Sequence, residues 1–352
     1  MAKKFLTERT INILVPVLSV IFGLLVGAIV MITSGYDPIV GYAALWDGMV
    51  GNPRAIGETL RTMIPLVLAG LSVAFAFRTG LFNIGVEGQL LVGWLAAVWF
   101  GYAVSLPAFL HVPLSILFAA LVGGLWGFIP GYLKGKFKVN EVIVTIMMNY
   151  IALYVTYYII RNFLHEANEK SYDIKASASL ASSWLASLTD GSRLHWGIVV
   201  AIVVALIMWF LLDRTTLGYE LKSVGFNQHA SKYAGMKVSR NVVLSMTIAG
   251  AFAGIGGAME GLGTFQSMTA MSSFTGIGFD GIAVALLGAN NAFGILLSAL
   301  LFGGLKSAAP QMNFEANVPS ELINVIIACI IFFVACSYIL RWAFSRFSKE
   351  GK

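Results

Sequence analysis

The stretch Arg78-Thr-Gly-Leu-Phe-Asn-Ile-Gly-Val-Glu-Gly-Gln89 separates two long apolar runs near the start of the chain. It contains three glycines and five polar or charged side chains. A bilayer tolerates such a break only where protein or water satisfies the freed backbone groups. A carboxylate such as that of Glu87 costs roughly 2.5 to 3.5 kcal/mol near the bilayer centre, and such residues usually face a bundle interior or a pathway. We therefore expect a broken membrane helix here, with function close to it.

The composition is that of a polytopic membrane protein. Hydrophobic residues make up 58% of the chain and charged residues 11%, and the mean hydropathy is +0.82. These values exclude an ordinary soluble domain. The first apolar run, 11–33, is longer than the signal-peptide core of about 7 to 15 residues, and no clear cleavage site follows it. We expect this run to be a retained first helix.

Apolar runs of about 20 residues predict an all-α fold with ten transmembrane helices. The eighth is short, and the 262–290 region is alternatively a broken or re-entrant helix, because glycine, serine and threonine are frequent before it. The whole chain, 1–352, is expected to form one transmembrane domain. The predicted helices are 11–33, 58–77, 89–105, 112–133, 140–160, 196–212, 241–261, 276–289, 291–308 and 320–342.

Lysine and arginine predict the orientation, because cytoplasmic loops carry an excess of both. The segments 1–10, 134–139, 213–240 and 341–352 are assigned to the cytoplasm, so both termini are expected there. The net charge of +6 is then explained by the basic residues of these cytoplasmic segments. No compact basic face indicates nucleic-acid binding. The basic residues of these segments are Lys3, Lys4, Arg9, Lys134, Lys136, Lys138, Arg214, Lys222, Lys232, Lys237, Arg240, Arg341, Arg346, Lys349 and Lys352.

Small residues recur at a spacing of four, which lets helices approach closely. Two interpretations stay open, tight packing within the subunit and contact with a second membrane subunit. The glycines concerned are Gly123, Gly127 and Gly131, Gly250 and Gly254, and Gly257 and Gly261.

The sequence contains no recognisable enzyme motif or metal site. None of the four histidines pairs with another at helical spacing or with a Cys-x-x-Cys. Cys329 and Cys336 lie roughly 10 Å apart along one predicted helix, too far for a disulfide. No Gly-x-x-x-x-Gly-Lys-Ser/Thr loop is present, so ATP is not bound through that motif.

Few polar residues are expected at membrane depth. None has an obvious basic partner there, and Arg78 and Lys306 are the nearest by depth. Alternatively, the asparagines cap helices or bond neighbouring helices, and Glu141 meets the positive end of the fifth helix. The set is Asn83, Glu87, Asn140, Glu141, Asn149, Glu260 and Asp280.

The inner segment 213–240 has a different character. Leu217, Leu221 and Val224 fall at helical spacing, and glycines interrupt the segment, which indicates short amphipathic helices. Such helices suit either a connector on the membrane surface or a docking element for a cytoplasmic partner.

Four segments, 83–89, 139–150, 214–236 and 278–288, together resemble a known family. The family is that of the bacterial ABC-importer permeases for branched-chain amino acids, ribose and nucleosides. Within it, the sequence most resembles the nucleoside (guanosine-type) permeases, and the family-like core spans 58–342. The resemblance implies a multi-pass subunit of the bacterial cytoplasmic membrane that is not itself an enzyme. It also implies a second related permease, expected as a heterodimer, an extracellular binding lipoprotein, and a cytoplasmic ATPase that holds the ATP and Mg.

The resemblance further implies roles for particular residues. A nucleoside path should be lined by uncharged polar groups and aromatic rings, and 213–240 should couple to the ATPase. The expected path residues are Phe82, Asn83, Glu87, Asn149, Glu260, Phe279 and Asp280, and the expected coupling residues are Arg214, Gly218, Gly225, Asn227, Ala230, Ala234 and Gly235.

Other functions stay open at this stage. Within the importers, simple sugars such as ribose are the main alternative substrate to purine nucleosides such as guanosine, followed by branched-chain amino acids. A secondary transporter would couple protons through Glu87, Glu260 or Asp280, and a non-transporting scaffold subunit would move nothing. Neither explains why 214–236 resembles a coupling element.

Overall fold

The computed structural model describes residues 8–167 and 169–335, and this part of the chain forms fourteen α-helices. Their bounds are α1 Glu8–Thr33, α2 Pro38–Val50, α3 Pro53–Arg78, α4 Val86–Ala103, α5 Ala108–Phe137, α6 Glu141–Ile159, α7 Ser183–Leu188, α8 Gly197–Arg214, α9 Thr216–Phe226, α10 Gln228–Tyr233, α11 Val238–Met259, α12 Ile277–Leu287, α13 Ala292–Ala316 and α14 Glu321–Ala335. The π-helical segments Ile160–Leu164 and Glu260–Thr264 continue α6 and α11, a 3-10 turn lies at Ala176–Ala178, and β1 His165–Ala167 pairs with β2 Lys170–Ser171.

The chain is an all-α multi-pass membrane protein, as predicted. Within the described residues, seven helices are long and apolar enough to cross a membrane, namely α1, α3, α5, α6, α8, α11 and α13, while α12 and α14 are shorter and apolar. Each of the ten predicted segments overlaps a helix. The part of the last predicted helix beyond Ala335, including Cys336, lies outside the described residues.

The long helix α3 joins two ends of the molecule. Near its start, Glu58 accepts a hydrogen bond of 2.8 Å from the backbone N–H of Arg193. At its last residue, Arg78, the backbone carbonyl packs against Gly225 of α9. We call the first the hairpin end, which comprises residues 160–167, 169–196 and 262–270 and includes β1 and β2. We call the second the α9 end.

The residues 265–290 form a broken crossing between these two ends. Residues 265–276 contain no helix and begin at the hairpin end, where the Met268 N–H donates to Ser171 Oγ at 2.9 Å. Helix α12 then runs to the α9 end, where Arg78 Nε donates to the Asn290 carbonyl at 2.9 Å. The short helix expected at 276–289 is thus present as α12, and the residues 265–276 before it contain no helix.

Five of the seven spaced glycines pack α5 against α11 within the subunit, whereas Gly257 and Gly261 contact α4. A Cβ added to Gly123 would lie 2.5 Å from the Gly250 carbonyl oxygen, and one added to Gly131 would lie 2.9 Å from Met246 Cβ. The backbones therefore meet directly, as small residues in membrane helices allow. This contact favours the first of the two interpretations of the glycine spacing.

The segment between the first two predicted helices, 34–57, contains the helix α2, which the sequence analysis did not predict. Asp37 caps this helix by accepting from the Ile39 N–H at 2.8 Å, and Pro38 occupies its first turn. The helix packs on α13, since a Cβ on Gly48 would lie 2.8 Å from Ala308 Cβ. At 13 residues it is too short to be found by a spanning-length criterion.

Candidate functional site

Glu87 caps the N-terminus of α12 from the first turn of α4. Its Oε1 accepts from Thr275 Oγ1 at 2.6 Å and from the Gly276 N–H at 2.9 Å, and its Oε2 accepts from the Gly278 N–H at 2.6 Å. The side chain is 0% exposed. A carboxylate at this position offsets the positive helix end, and its charge strengthens all three hydrogen bonds. Glu87 therefore faces the bundle interior and holds the broken crossing in place.

Two asparagines satisfy the backbone of the break at 79–88. Asn83 Oδ1 accepts from the Gly85 N–H at 3.1 Å, and Asn83 Nδ2 donates to Gln89 Oε1 at 2.9 Å. Asn149 of α6 accepts from the Gly88 N–H at 2.8 Å and donates to the Ile84 carbonyl at 3.0 Å. The break is thus satisfied by protein groups, as a bilayer demands.

The same break contacts α9 backbone to backbone. Gly80 has φ +72°, a conformation that favours glycine, and a Cβ on it would lie 3.2 Å from Gly225 Cα. A Cβ on Gly225 would in turn lie 2.5 Å from the Arg78 carbonyl oxygen. Nearby, Ser245 of α11 donates to Thr79 at 2.8 Å. Neither glycine has room for a side chain without a shift of the neighbouring backbone.

An ion pair between Asp280 and Lys306 joins α12 to α13. The two side chains are 17% and 27% exposed, so the pair borders a surface. Lys306 was one of the two basic residues expected near this depth. Arg78, the other, is bonded to Asn290 instead.

An aromatic surface extends beside this ion pair. The Phe279 ring meets Phe274 edge-on at 5.8 Å between centroids, and Phe274 meets Tyr150 of α6 at 5.1 Å. Tyr154 and Tyr158 follow Tyr150 at intervals of four, and the three tyrosines are 47%, 66% and 58% exposed. We call these five residues the aromatic face. The sequence signal that could have found it is the i, i+4, i+8 spacing of the tyrosines.

The aromatic face differs from the lipid-like exposed sides of other helices. On α5 the exposed residues include Leu117, Leu121 and Leu125. Tyr150, in contrast, lies roughly 14 Å along α6 from Glu141 at 1.5 Å per residue, near the middle of the candidate span Glu141–Leu164. Tyrosine is enriched at membrane interfaces, not at the centre. Exposed tyrosine at this depth indicates a surface that faces water or protein.

The segment 213–240 forms α9 and α10 at the α9 end. Arg214 lies over the Trp209 ring at 5.2 Å, and Asn227 caps α10 by accepting from the Ala230 N–H at 3.0 Å. Phe226 and Tyr233 were not among the expected coupling residues, yet they are 91% and 94% exposed. The remaining expected residues have structural or surface positions: Gly218 packs closely on the end of α8, Gly235 has φ +83°, and Ala234 is exposed.

Comparison with known proteins identifies the family. Residues 55–335 match the family model described as the permease component of the branched-chain amino acid transport system. This chain belongs to that permease family.

Several similar proteins have names that specify a transported solute. The guanosine ABC transporter permease protein NupP of Bacillus subtilis is 57% identical and aligns over 98% of this permease and 99% of its own length. The nucleoside ABC transporter permease protein NupB of Lactococcus lactis is 43% identical and aligns over 96% of this permease and 94% of its own length. The glucose ABC transporter permease protein TsgB13 of Haloferax volcanii is 33% identical and aligns over 92% of this permease and 87% of its own length.

In this permease the seven expected path residues fall in four places. Phe279 belongs to the aromatic face, and Asp280 borders it. Glu260 is buried towards the hairpin end, where its Oε1 accepts from Thr264 Oγ1 at 3.4 Å. Phe82 stacks on Phe77 near the α9 end, with 5.1 Å between ring centroids. The remaining three, Asn83, Glu87 and Asn149, form the buried bracing of the break.

Proposed function

We propose that this permease is the membrane-spanning subunit of an ATP-driven importer that carries purine nucleosides, such as guanosine, into a bacterial cell. The single observation that carries the proposal is the 57% identity to a guanosine permease over nearly the full length of both chains. An importer of this kind moves a solute and performs no chemistry on it, so this subunit is not an enzyme.

The aromatic face supports a nucleoside as the solute. A nucleobase presents a flat ring that stacks on aromatic side chains, and base–aromatic stacking contributes roughly 1 to 3 kcal/mol per base. Tyr150 and Tyr154 add hydroxyl groups, and Asp280 adds a hydrogen-bond acceptor for ribose hydroxyls or ring N–H groups. In the proposal the path runs between this face and the corresponding surface of a second, related permease subunit, forming a heterodimer.

The proposed topology has ten membrane passes with both termini in the cytoplasm. The passes are α1, α3, α4, α5, α6, α8, α11, the broken crossing, α13 and α14, within a single domain of residues 1–352 whose family-like core spans 58–342. The α9 end then faces the cytoplasmic side of the bacterial cell membrane. An extracellular lipoprotein that binds the solute meets the hairpin end.

In this topology α9 and α10 form the coupling loop, residues 213–240, which docks on the cytoplasmic ATPase. Phe226 and Tyr233 are the anchors, because exposed aromatic side chains commonly dominate the binding energy of protein interfaces. ATP and Mg²⁺ are held by the ATPase. This permease contributes neither ligands for them nor hydrolysis.

Uptake measured in a reconstituted complex tests the proposal. The permease, its second permease, the ATPase and the lipoprotein are expressed together, and uptake of labelled guanosine is measured with competing adenosine, ribose or leucine. We expect ATP-dependent uptake that unlabelled nucleosides inhibit and ribose does not. The identity to a glucose permease makes sugars the second candidate. Inhibition by ribose alone, or uptake that persists without the ATPase, would contradict the proposal.

A further inference from the structure

We infer that Glu87 is a positioning residue through which movement of α9 reaches the transport path. This inference rests on the proposed function, because it assigns the path to the aromatic face and the coupling role to α9. It assigns Glu87 no contact with the solute. The structural basis is a continuous set of contacts from α9, through the break at 79–88, to the first turn of α12.

The first link is the contact of Gly225 with Gly80. Both residues lack a side chain, and their backbones approach closely enough that an added Cβ on Gly225 would lie 3.0 Å from Gly80 N. Packed backbones transmit displacement because no flexible side chain lies between them to absorb it. A shift of α9 against the permease therefore moves the break.

The second link is the internal bracing of the break. Between Gly80 and Glu87 the segment contains no regular helix, but it is held by Asn83, which bonds Gln89, and by Asn149, which bonds both Ile84 and Gly88. These side chains are buried. The short segment is thus connected to the first turn of α4 by specific hydrogen bonds, so that it moves together with that turn.

The third link is the carboxylate of Glu87 itself. All three of its partners are hydrogen-bond donors, and they belong to the residues at which α12 begins. Gly278, whose N–H is held, is followed directly by Phe279 and Asp280 at the aromatic face. Gly276 has φ +82° and nothing within 4 Å of an added Cβ, so its Cα side is open while its N–H is held by Glu87. Movement of Glu87 therefore changes the position of Phe279.

The chemistry of the cap makes Glu87→Gln the informative substitution. A carboxylate only accepts hydrogen bonds, whereas a glutamine amide presents two N–H donors on one side. With Gln, either the Gly278 N–H or the Gly276 N–H would face an N–H group, whereas the Thr275 hydroxyl could rotate to accept. Size and shape are retained, so that the substitution removes the hold on α12 without opening a cavity.

The first experiment measures guanosine uptake and ATP hydrolysis on the same reconstituted complexes. For Glu87→Gln we expect hydrolysis within about twofold of the wild type and at least a tenfold fall in solute moved per ATP, which corresponds to about 1.4 kcal/mol. Thr275→Val, which removes one donor and leaves Glu87 intact, should give a smaller fall. The matched control is Glu141→Gln, because Glu141 pairs with Lys134 at 2.7 Å and should leave the ratio unchanged.

A double variant tests whether α9 and Glu87 act through one connection. Gly225→Ala, which separates α9 from the break, should also lower the solute moved per ATP. If both residues belong to one connection, the double variant Gly225→Ala, Glu87→Gln should be no worse than the more severe single variant. Effects that multiply would show that the two residues act independently and would overturn the inference.

A readout that needs no solute separates this inference from the proposed function. Phe279→Cys is introduced where Cys329 and Cys336 are replaced by serine, and labelling by a water-soluble maleimide is measured with and without ATP. We expect ATP to change the labelling rate with Glu87 present and not with Glu87→Gln. If the change persists in Glu87→Gln, the inference is wrong even where guanosine uptake confirms the function. If the wild type moves no nucleoside but shows the Glu87-dependent change, only the proposed substrate fails.

Discussion

Single residues in this permease divide into those that hold the fold and those that meet the surface. Glu87 and Asn149 are fully or almost fully buried, and each hydrogen-bonds backbone groups that the broken helices leave unpaired. Tyr150 and Phe279 are exposed beside them. If the aromatic face lines the solute path, as proposed, these buried hydrogen bonds hold the surface beneath it in a defined shape.

Substitution of Tyr150 tests the stacking role of the aromatic face. Tyr150→Ala removes a ring that we expect to stack on the base, so guanosine uptake should fall about tenfold, in line with roughly 1 to 3 kcal/mol per stacked base. Tyr150→Phe keeps the ring and should retain most of the uptake. Leu121→Ala, at an exposed apolar position on α5, is the control. Equal uptake by the two alanine variants would contradict the assignment.

His195, just before α8, provides a pH dependence of stability. Burial first, and then the positive charge of Arg61, lower the pKa of His195 from 6.5 to about 4. Between pH 4 and pH 6.5 the imidazole is therefore neutral in the folded state, whereas it binds a proton in the unfolded state. Its contribution to stability is therefore complete above pH 6.5 and is lost as the pH falls towards 4, by roughly 3 kcal/mol at most.

Thermal unfolding in detergent between pH 4.5 and 7.5 measures this effect. His195→Asn should flatten the dependence of the unfolding temperature on pH, because the titrating group is gone. His229→Asn, at an exposed position on α10, should keep the wild-type slope. An unchanged slope in His195→Asn would show that other groups cause the acid sensitivity.

At the scale of elements, the apolar runs and the glycine-rich break were predictable because each is written in consecutive residues. Length and hydropathy locate helices such as α5 and α11, and the polar residues of 78–89 reveal the interruption. The partner of Glu87 was not predictable, because Gly278 lies 191 residues away and no local pattern connects them. Helix α2 and the aromatic face were missed for related reasons, since one is short and the other is assembled from two distant segments.

The close packing of α5 on α11 predicts a large effect of small substitutions. Gly123→Val would place atoms within 2.5 Å of the Gly250 carbonyl and force the helices apart. Overpacking of this kind costs about 1 to 3 kcal/mol, so the unfolding temperature and the yield of monodisperse protein should both fall. Leu125→Val, on the exposed side of α5, should leave both unchanged. A similar unfolding temperature for the two variants would contradict the packing.

At the scale of the whole molecule, the proposed solute surface and the proposed partner surface lie at different places, and the break at 79–88 lies between them. The aromatic face lies at mid-depth, whereas Phe226 and Tyr233 project at the α9 end. In the proposed importer, hydrolysis on another chain can alter the path only through contacts that run between these places. The break at 79–88 touches both α9 and α12.

Loss of the exposed aromatic pair should separate the permease from its ATPase. Phe226→Ala and Tyr233→Ala each remove an expected anchor, so the affinity for the ATPase should fall at least tenfold, as for interface hot spots of about 2 kcal/mol or more. Binding is measured by titrating labelled ATPase onto permease in nanodiscs. Phe163→Ala is the matched control, since Phe163 is 69% exposed at the hairpin end. Equal loss in all three would mean that exposed aromatic residues stabilise the permease generally.

The cap on α12 also bears on which solutes are excluded. A helix that begins inside a membrane protein presents unpaired N–H groups and a positive end, which together attract phosphate and carboxylate. Here the carboxylate of Glu87 already occupies that position and neutralises it. A phosphorylated nucleoside would gain no attraction from the start of α12 and would meet a negative charge behind it. In the proposed importer, the start of α12 therefore gives charged nucleotides no advantage over uncharged nucleosides.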